Sequence, residues 1–173
     1  MYDFSSALPS RTMQIRTLNA SFGVADQLEE SDLAAVAAAG YKTVVCNRPD
    51  AEGGTPMAKI EAACERHGLA FAALPVEFST LGLADAERFG AILQESQAPL
   101  LAYCRSGRRS AALWALAMSP LAPAQQLLDR TAGAGIALEE LRKLMQQRAA
   151  LSAPASDRGE AAAHFAQRWI EGR

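Results

Sequence analysis

The chain has 173 residues and a formal net charge of −2 at pH 7, and half of its residues are hydrophobic while only 6% are aromatic. This length suits one domain with a self-sufficient core. The near-neutral charge gives no electrostatic reason to expect nucleic acid or an anionic membrane as a partner. No stretch approaches the roughly 20 apolar residues of a membrane span, and the N-terminus lacks a secretory signal pattern, so we expect a cytoplasmic protein.

The numbers and spacing of the cysteines and histidines limit the kinds of site that the protein can contain. Cys46, Cys64 and Cys104 are odd in number and widely spaced, which fits neither a disulfide framework nor a zinc site. His67 and His164 are too few for a histidine-rich metal centre, and a Cys-His hydrolase pair is disfavoured. We therefore expect no metal and no cofactor, while the chemistry of a thiol stays open.

The first third of the chain predicts an edge hairpin followed by a helix and a buried strand. Residues 13–18 and 22–26 have the pattern of two short strands around a tight turn. Residues 29–39 predict a helix that ends before Gly40, and residues 41–46 form a β-branched run typical of a buried strand.

The middle of the chain repeats this alternation of helix and strand. Thr55 is predicted to cap a helix whose first residue is Pro56. The pattern continues with a strand at 69–76, a helix at 84–96, a strand at 99–104 and helices at 110–118, 123–132 and 137–149.

This alternation predicts an α/β fold with a central, mostly parallel sheet of four or five strands and helices on both faces. We assign residues 1–150 to one catalytic domain and residues 151–173 to a C-terminal tail. Phe165 and Trp169, four residues apart, leave two alternatives for that tail, a docked amphipathic helix or a partly disordered end.

Three segments follow predicted strands and should meet at one edge of the sheet. They are the turn at 47–50, the loop at 77–83 and the sequence CRSGRRS at 104–110. Ligands of open α/β sheets bind at the carboxyl ends of the strands, so this edge is the predicted site. The turn ending in Asp50 is interpreted equally well as purely structural or as part of the site.

The sequence CRSGRRS has the composition of an anion cradle with a reactive cysteine. Cys104 ends a strand and a helix follows, so backbone N–H groups converge on its sulfur and stabilise the thiolate. We assign Arg109 an inward-pointing role and expect Ser110 to donate a hydrogen bond to the sulfur. The anion-binding residues are Arg105, Ser106, Gly107 and Arg108, of which the two arginines are expected to point outward.

The other two cysteines have less specific surroundings. Cys64 is in helical register with apolar residues, and packing is its expected role. Cys46 ends a strand that we expect near the strand of Cys104. Core packing is favoured for it, with a second possibility that it resolves an oxidised or persulfidated Cys104.

Residues 15–118, with the segments VVCNRPD, LPV and LLAYCRSGRRSAALWALA, resemble the bacterial β-lactamase-hydrolase-like phosphatase-like domain family. The resemblance implies a fold similar to that of dual-specificity and protein tyrosine phosphatases, with an active loop like that of rhodaneses. Many members are described as sulfur transferases. The domain is sometimes joined to a persulfide dioxygenase, which implies a separate enzyme of that kind as a possible partner.

Three departures from the phosphatase pattern favour sulfur transfer. Cys104 and Arg109 enclose four residues, as in single-domain rhodaneses, whereas phosphatases of this fold have five. Tyr103 occupies the usual histidine position, and Glu77 rather than aspartate follows LPV, so a general acid is not evident. The primary prediction is a sulfurtransferase that accepts sulfur from thiosulfate or a persulfide as a Cys104 persulfide.

Two alternatives remain open at this point. The same cysteine could hydrolyse a phosphate monoester through a phosphocysteine, with Asp50 or Glu77 handling protons. The cradle could also bind an anion without catalysis. Each hypothesis predicts a small anionic ligand and neither nucleic acid nor membrane as partner.

Overall fold

A computed structural model of the protein describes residues 12–152, 157 and 159–173, so residues 1–11 of the predicted catalytic domain lie outside the described part. The described residues contain a five-stranded sheet in the order β1-β2-β5-β3-β4. The strands are β1 (Ile15–Asn19), β2 (Phe22–Ala25), β3 (Thr43–Cys46), β4 (Ala70–Ala73) and β5 (Leu100–Tyr103).

The sheet is parallel except at its edge hairpin. β1 and β2 pair antiparallel, and the side-chain oxygen of Asn19 accepts a hydrogen bond from the N–H of Ser21 at 2.8 Å, which fixes the tight turn. β5 pairs in parallel with β2 on one side and with β3 on the other. All four residues of β5 are buried, as expected for the middle strand of a sheet covered on both faces.

The helices form two layers. The bounds are α1 (Leu33–Ala38), α2 (Met57–Arg66), α3 (Leu83–Glu95), α4 (Arg108–Met118), α5 (Ala124–Gly133), α6 (Arg142–Leu151) and α7 (Gly159–Ala166). Buried residues of α1 and α2 pack on one face of the sheet, and those of α3 to α6 pack on the other. The predicted α/β fold with its mostly parallel sheet is confirmed.

Helix α4 occupies the centre of the larger layer. Every residue from Ser110 to Met118 is buried, because the helix packs on the sheet and is covered in turn by α3, α5 and α6. The Trp114 ring stacks near that of Phe22 with 6.1 Å between ring centroids. The helix that follows the cysteine loop is therefore held on all sides, and its first turn has a fixed position.

The C-terminal residues in the described part are packed on the domain. After α7, a π-helical turn at Gln167–Glu171 buries Trp169 and Ile170. The carbonyl oxygen of Trp169 accepts hydrogen bonds from Asn19 Nδ2 and from Trp114 Nε1, each at 2.8 Å. Residues 153–156 and 158 of the predicted tail lie outside the described part, and the division of the chain at residue 150 stays a prediction.

One predicted helix start is wrong. Pro56, not Thr55, is the N-cap of α2, and the Thr55 hydroxyl donates a hydrogen bond to Glu29 Oε2 at 2.6 Å instead. Within the described ranges, no helix combines the length and apolar character that crossing a membrane would require.

Candidate active site

Cys104 lies where the middle strand gives way to the central helix. It follows β5 directly, its side chain is almost completely buried, and its own N–H donates to the Ala25 carbonyl at 3.4 Å. The sulfur accepts a hydrogen bond from the N–H of Gly107 at 3.1 Å. Gly107 has φ of +86°, which a residue with a Cβ rarely adopts, and this conformation folds the loop back over the sulfur.

Arg109 is turned inward and fixed, as predicted. Its Nη1 and Nη2 atoms donate to the two carboxylate oxygens of Glu52 at 2.6 and 2.8 Å, and Nη1 also donates to the Val76 carbonyl at 2.9 Å. The side chain is only 11% exposed. The three segments that follow β3, β4 and β5 therefore meet at this guanidinium, which confirms that they share one edge of the sheet.

The charges of the Arg109–Glu52 pair reinforce one another. The hydrogen bond from Arg109 holds the pKa of Glu52 below its usual value, despite an opposing effect of burial. The Glu52 carboxylate, and after it the nearby Cys104 sulfur, raise the pKa of Arg109. The guanidinium thus keeps its charge beside the sulfur, where an anionic thiolate or substrate is stabilised.

Ser110 does not have the predicted contact. Its hydroxyl donates to Asn47 Oδ1 at 2.8 Å, not to the Cys104 sulfur. A hydroxyl has one hydrogen to donate, and the buried amide of Asn47 takes it. Asn47 also donates through Nδ2 to the Leu74 carbonyl at 3.0 Å, so it ties the ends of β3 and β4 to α4.

Asp50 does not supply a free carboxylate to the site. Its Oδ1 accepts the N–H of Met57 at 2.9 Å, at the start of α2. The first turn of a helix has unsatisfied N–H groups, and Thr55 directs its hydroxyl elsewhere, so Asp50 supplies the missing acceptor. One oxygen of Asp50 is thus engaged in the helix cap, and a catalytic role for Asp50 stays a prediction.

The predicted anion-binding residues form the loop between Cys104 and Arg109. Arg105 is exposed, as expected for an outward-pointing residue, and the hydroxyl oxygen of Ser106 accepts the Arg108 N–H at 3.4 Å. Arg108 leaves the cradle, but it is not free. It pairs with Glu140 and lies over the Phe78 ring, 4.0 Å from the centroid.

The remaining cysteines are buried. Burial raises the pKa of Cys64 to about 12, in agreement with a packing role. Cys46 lies opposite Tyr103 in the β3–β5 register, which confirms that its strand neighbours that of Cys104. Burial also raises the pKa of Cys46, so its thiol is a weak nucleophile near neutral pH. A resolving role for Cys46 remains a hypothesis.

An exposed carboxyl group follows the residue whose carbonyl binds Arg109. Glu77 follows Val76, whose carbonyl binds Arg109, and it lines an open pocket of about 350 Å³. Asp85 lines the same pocket, but its carboxylate accepts the Gly82 N–H at 3.0 Å and caps α3. Of these two carboxyl groups, Glu77 is the one that is not engaged in capping a helix.

Sequence reasoning missed three residues that contact the arginines or the backbone of the cysteine loop. Glu52 binds Arg109, the Phe78 ring packs against the Arg108 guanidinium, and Arg16 on β1 donates to the Ser106 carbonyl. The acidic group at 50–52, beside a loop with three arginines, was a usable signal for Glu52. Nothing local marks Arg16, because it lies 90 positions from Ser106.

The fold and the cysteine loop are those of a protein-tyrosine-phosphatase-like domain. The solved structure of a candidate phosphatase from Neisseria meningitidis is 30% identical with a TM-score of 0.70, covering 78% of this chain and 97% of that chain. The structure of kinase associated phosphatase, in which serine replaces its catalytic-site cysteine, aligns with a TM-score of 0.60 over 82% of this chain and 97% of its own, at 14% identity.

The chain belongs to the family described as Beta-lactamase hydrolase-like protein, phosphatase-like domain, whose model matches residues 14–120. A Beta-lactamase hydrolase-like protein of Agrobacterium fabrum is 27% identical over 106 residues, which cover 60% of this chain and 25% of that protein. The chain thus matches about a quarter of the length of this relative. These comparisons favour a phosphatase-like enzyme over the sulfurtransferase that the sequence analysis placed first.

The Arg109–Glu52 pair should stabilise the protein in a pH-dependent way. Because the folded protein lowers the pKa of Glu52, its contribution is complete above the ordinary glutamate value of about 4.3 and is lost as the pH falls through the lowered value. Glu52→Gln should therefore be less stable than the wild type at pH 7, and the difference should shrink below about pH 4.

Urea unfolding between pH 3 and pH 8 measures this difference. Glu65→Gln, which removes an exposed carboxylate on α2, is the matched control and should stay close to the wild type throughout. A stability difference for Glu52→Gln that stays constant down to the lowest pH would contradict the ion pair.

Proposed function

We propose that the protein hydrolyses small phosphate monoesters with Cys104 as the nucleophile. The observation that carries the proposal is the pairing of a buried sulfur, which accepts the Gly107 N–H, with an arginine locked by a bidentate carboxylate. The first turn of α4 adds N–H groups and the positive end of its dipole. A phosphoryl group has several anionic oxygens, and this ring of donors suits such a group.

The first chemical step is displacement at phosphorus. The Cys104 thiolate attacks, a sulfur–phosphorus bond forms, and the bond from phosphorus to the leaving oxygen breaks with its electron pair. Arg109 and the loop N–H groups stabilise the negative charge on the equatorial oxygens, which is greatest in the transition state. Because Glu52 and Val76 hold the guanidinium in place, little reorganisation is required.

The second step returns the free enzyme. A water molecule attacks the phosphocysteine, inorganic phosphate leaves, and the thiolate of Cys104 is regenerated as the sulfur–phosphorus bond breaks. The water must lose a proton and the leaving alcohol must gain one. We assign both transfers to Glu77, since Asp50 and Asp85 are engaged in capping helices.

The proposed substrates are phosphate monoesters with good leaving groups. A nitrophenolate leaves without protonation, whereas an alkoxide requires a proton. The Glu77 side chain is exposed and, among the described residues, has no hydrogen bond that fixes it toward the sulfur, so it is a weaker proton donor than a buried, oriented acid would be. We therefore expect aryl phosphates to be turned over faster than alkyl phosphates.

Sulfur transfer is a second candidate, and the short loop favours it. Four residues between Cys104 and Arg109 make a tighter ring than the five of the phosphatases that the chain resembles, and a single terminal sulfur needs less room than a phosphoryl group. In this reaction the thiolate attacks the outer sulfur of thiosulfate, sulfite leaves, and a Cys104 persulfide forms. An acceptor thiol or cyanide then takes that sulfur.

A single assay panel separates the candidates. Purified protein is given p-nitrophenyl phosphate in one arm and thiosulfate with cyanide in the other. We expect turnover of the phosphate, and a loss of at least about a thousandfold in Cys104→Ser because the nucleophile is removed. Turnover of thiosulfate alone would replace the proposed function with sulfur transfer. Absence of both activities would leave the anion-binding alternative.

The role of Glu77 is tested by comparing leaving groups. Glu77→Gln should lower kcat/KM for an alkyl phosphate by about a hundredfold and leave that for p-nitrophenyl phosphate almost unchanged, because only the alkoxide needs a proton. Asp85→Asn, at the same pocket, is the matched control and should affect both substrates equally. An equal loss for both substrates in Glu77→Gln would exclude proton donation by this residue.

A further inference from the structure

An arginine from the far edge of the sheet contacts the cysteine loop. Arg16 is the second residue of β1, which pairs with β2 and has no direct pairing with the strand of Cys104. Its Nη2 atom donates to the carbonyl oxygen of Ser106. Arg16 takes no part in the proposed reaction and is not one of the residues of the anion cradle.

The space above Gly107 confirms where the Arg16 guanidinium lies. A Cβ atom on Gly107 would be 3.0 Å from Arg16 Nη2 and 3.4 Å from Val24 Cγ2. Arg16 and Val24 are partners in the β1–β2 register. The guanidinium thus lies against the loop at the glycine, where a side chain would displace it.

Arg16 and the Cys104 sulfur bind the two ends of one peptide unit. The Ser106 carbonyl accepts from Arg16, and the N–H of the same peptide, that of Gly107, donates to the sulfur at 3.1 Å. In a trans peptide these two groups point in opposite directions. Holding the carbonyl on the β1 side therefore directs the N–H toward the sulfur.

We propose that Arg16 is a positioning residue for the nucleophile, one that fixes and polarises the Ser106–Gly107 peptide so that its N–H stabilises the Cys104 thiolate. A cationic donor on the carbonyl strengthens the hydrogen bond at the other end of the peptide. The proposal rests on the proposed function only in requiring Cys104 to act as a thiolate.

Ionisable groups from several elements act on the sulfur. Arg109 on α4 interacts with it directly, Cys46 at the end of β3 interacts with it weakly, and Arg16 on β1 acts through the peptide. Arg109 and Cys46 are unchanged in variants of Arg16. A change in sulfur ionisation in those variants then comes from Arg16, either through the peptide contact or through its own charge.

The test measures alkylation of Cys104 by iodoacetamide as a function of pH, with the modified residue identified by mass spectrometry. Arg16→Gln should move the pH of half-maximal rate upward by about one unit, which is a tenfold loss of thiolate at a given pH. Arg16→Lys keeps a cationic donor and should give an intermediate shift. Arg88→Gln removes an exposed charge on α3 and should match the wild type.

A second measurement separates positioning from loss of a nearby charge. At a pH where the thiolate is complete in both proteins, the amide proton resonance of Gly107 should move upfield in Arg16→Gln, because its hydrogen bond to sulfur weakens. Thermal unfolding of each variant is recorded alongside. If Arg16→Gln does not fold, the alkylation midpoint of Arg16→Lys is compared with that of the wild type instead.

Two outcomes would overturn the proposal. One is an alkylation midpoint in Arg16→Gln equal to that of Arg88→Gln, or in Arg16→Lys equal to the wild type where only that variant folds. The other is a raised midpoint with the Gly107 resonance unchanged, which is the effect of a nearby charge and not of positioning. Neither outcome depends on turnover. A failure of this proposal can therefore be told apart from a failure of the proposed phosphatase activity.

Discussion

The hydrogen bond from the Gly107 N–H to the Cys104 sulfur is the contact around which the site is built. A buried sulfur can carry negative charge only if donors or cations replace the water it has lost. The middle strand brings the sulfur to the start of α4, and the left-handed conformation of Gly107 brings the N–H over it. The guanidinium groups of Arg109 and Arg16 supply the compensating positive charge.

Two arginines support this contact from opposite sides. Arg109 is held beside the sulfur by Glu52 and by the Val76 carbonyl, so the loops after β3 and β4 contribute to the same site. Arg16 reaches the loop from the edge hairpin and holds the carbonyl of the peptide whose N–H meets the sulfur. The parallel strands β3, β4 and β5 end at one edge of the sheet, and the antiparallel strand β1 begins there, so all of these groups converge at that edge.

The sequence predicted the fold and the cysteine loop because both have local signals. Alternating strands and helices predicted the sheet, and CRSGRRS predicted the cysteine loop with Arg109 turned inward. The partners of the loop were harder to predict, since Ser110 binds Asn47, Arg109 binds Glu52 and Arg16 binds Ser106 across long separations in sequence. For Asp50 the sequence left a structural role and a site role open, because a carboxylate near a helix start can cap that helix or face a site, and composition does not distinguish the two.

The reaction chemistry depends on which atom the sulfur attacks. Trapping the enzyme during turnover of p-nitrophenyl phosphate by acid quench, followed by mass spectrometry of the Cys104 peptide, tests this directly. We predict a phosphoryl group on Cys104 that is absent when substrate is omitted. Turnover with Cys104 unmodified at every quench time, or with the phosphoryl group on another residue, would contradict the account.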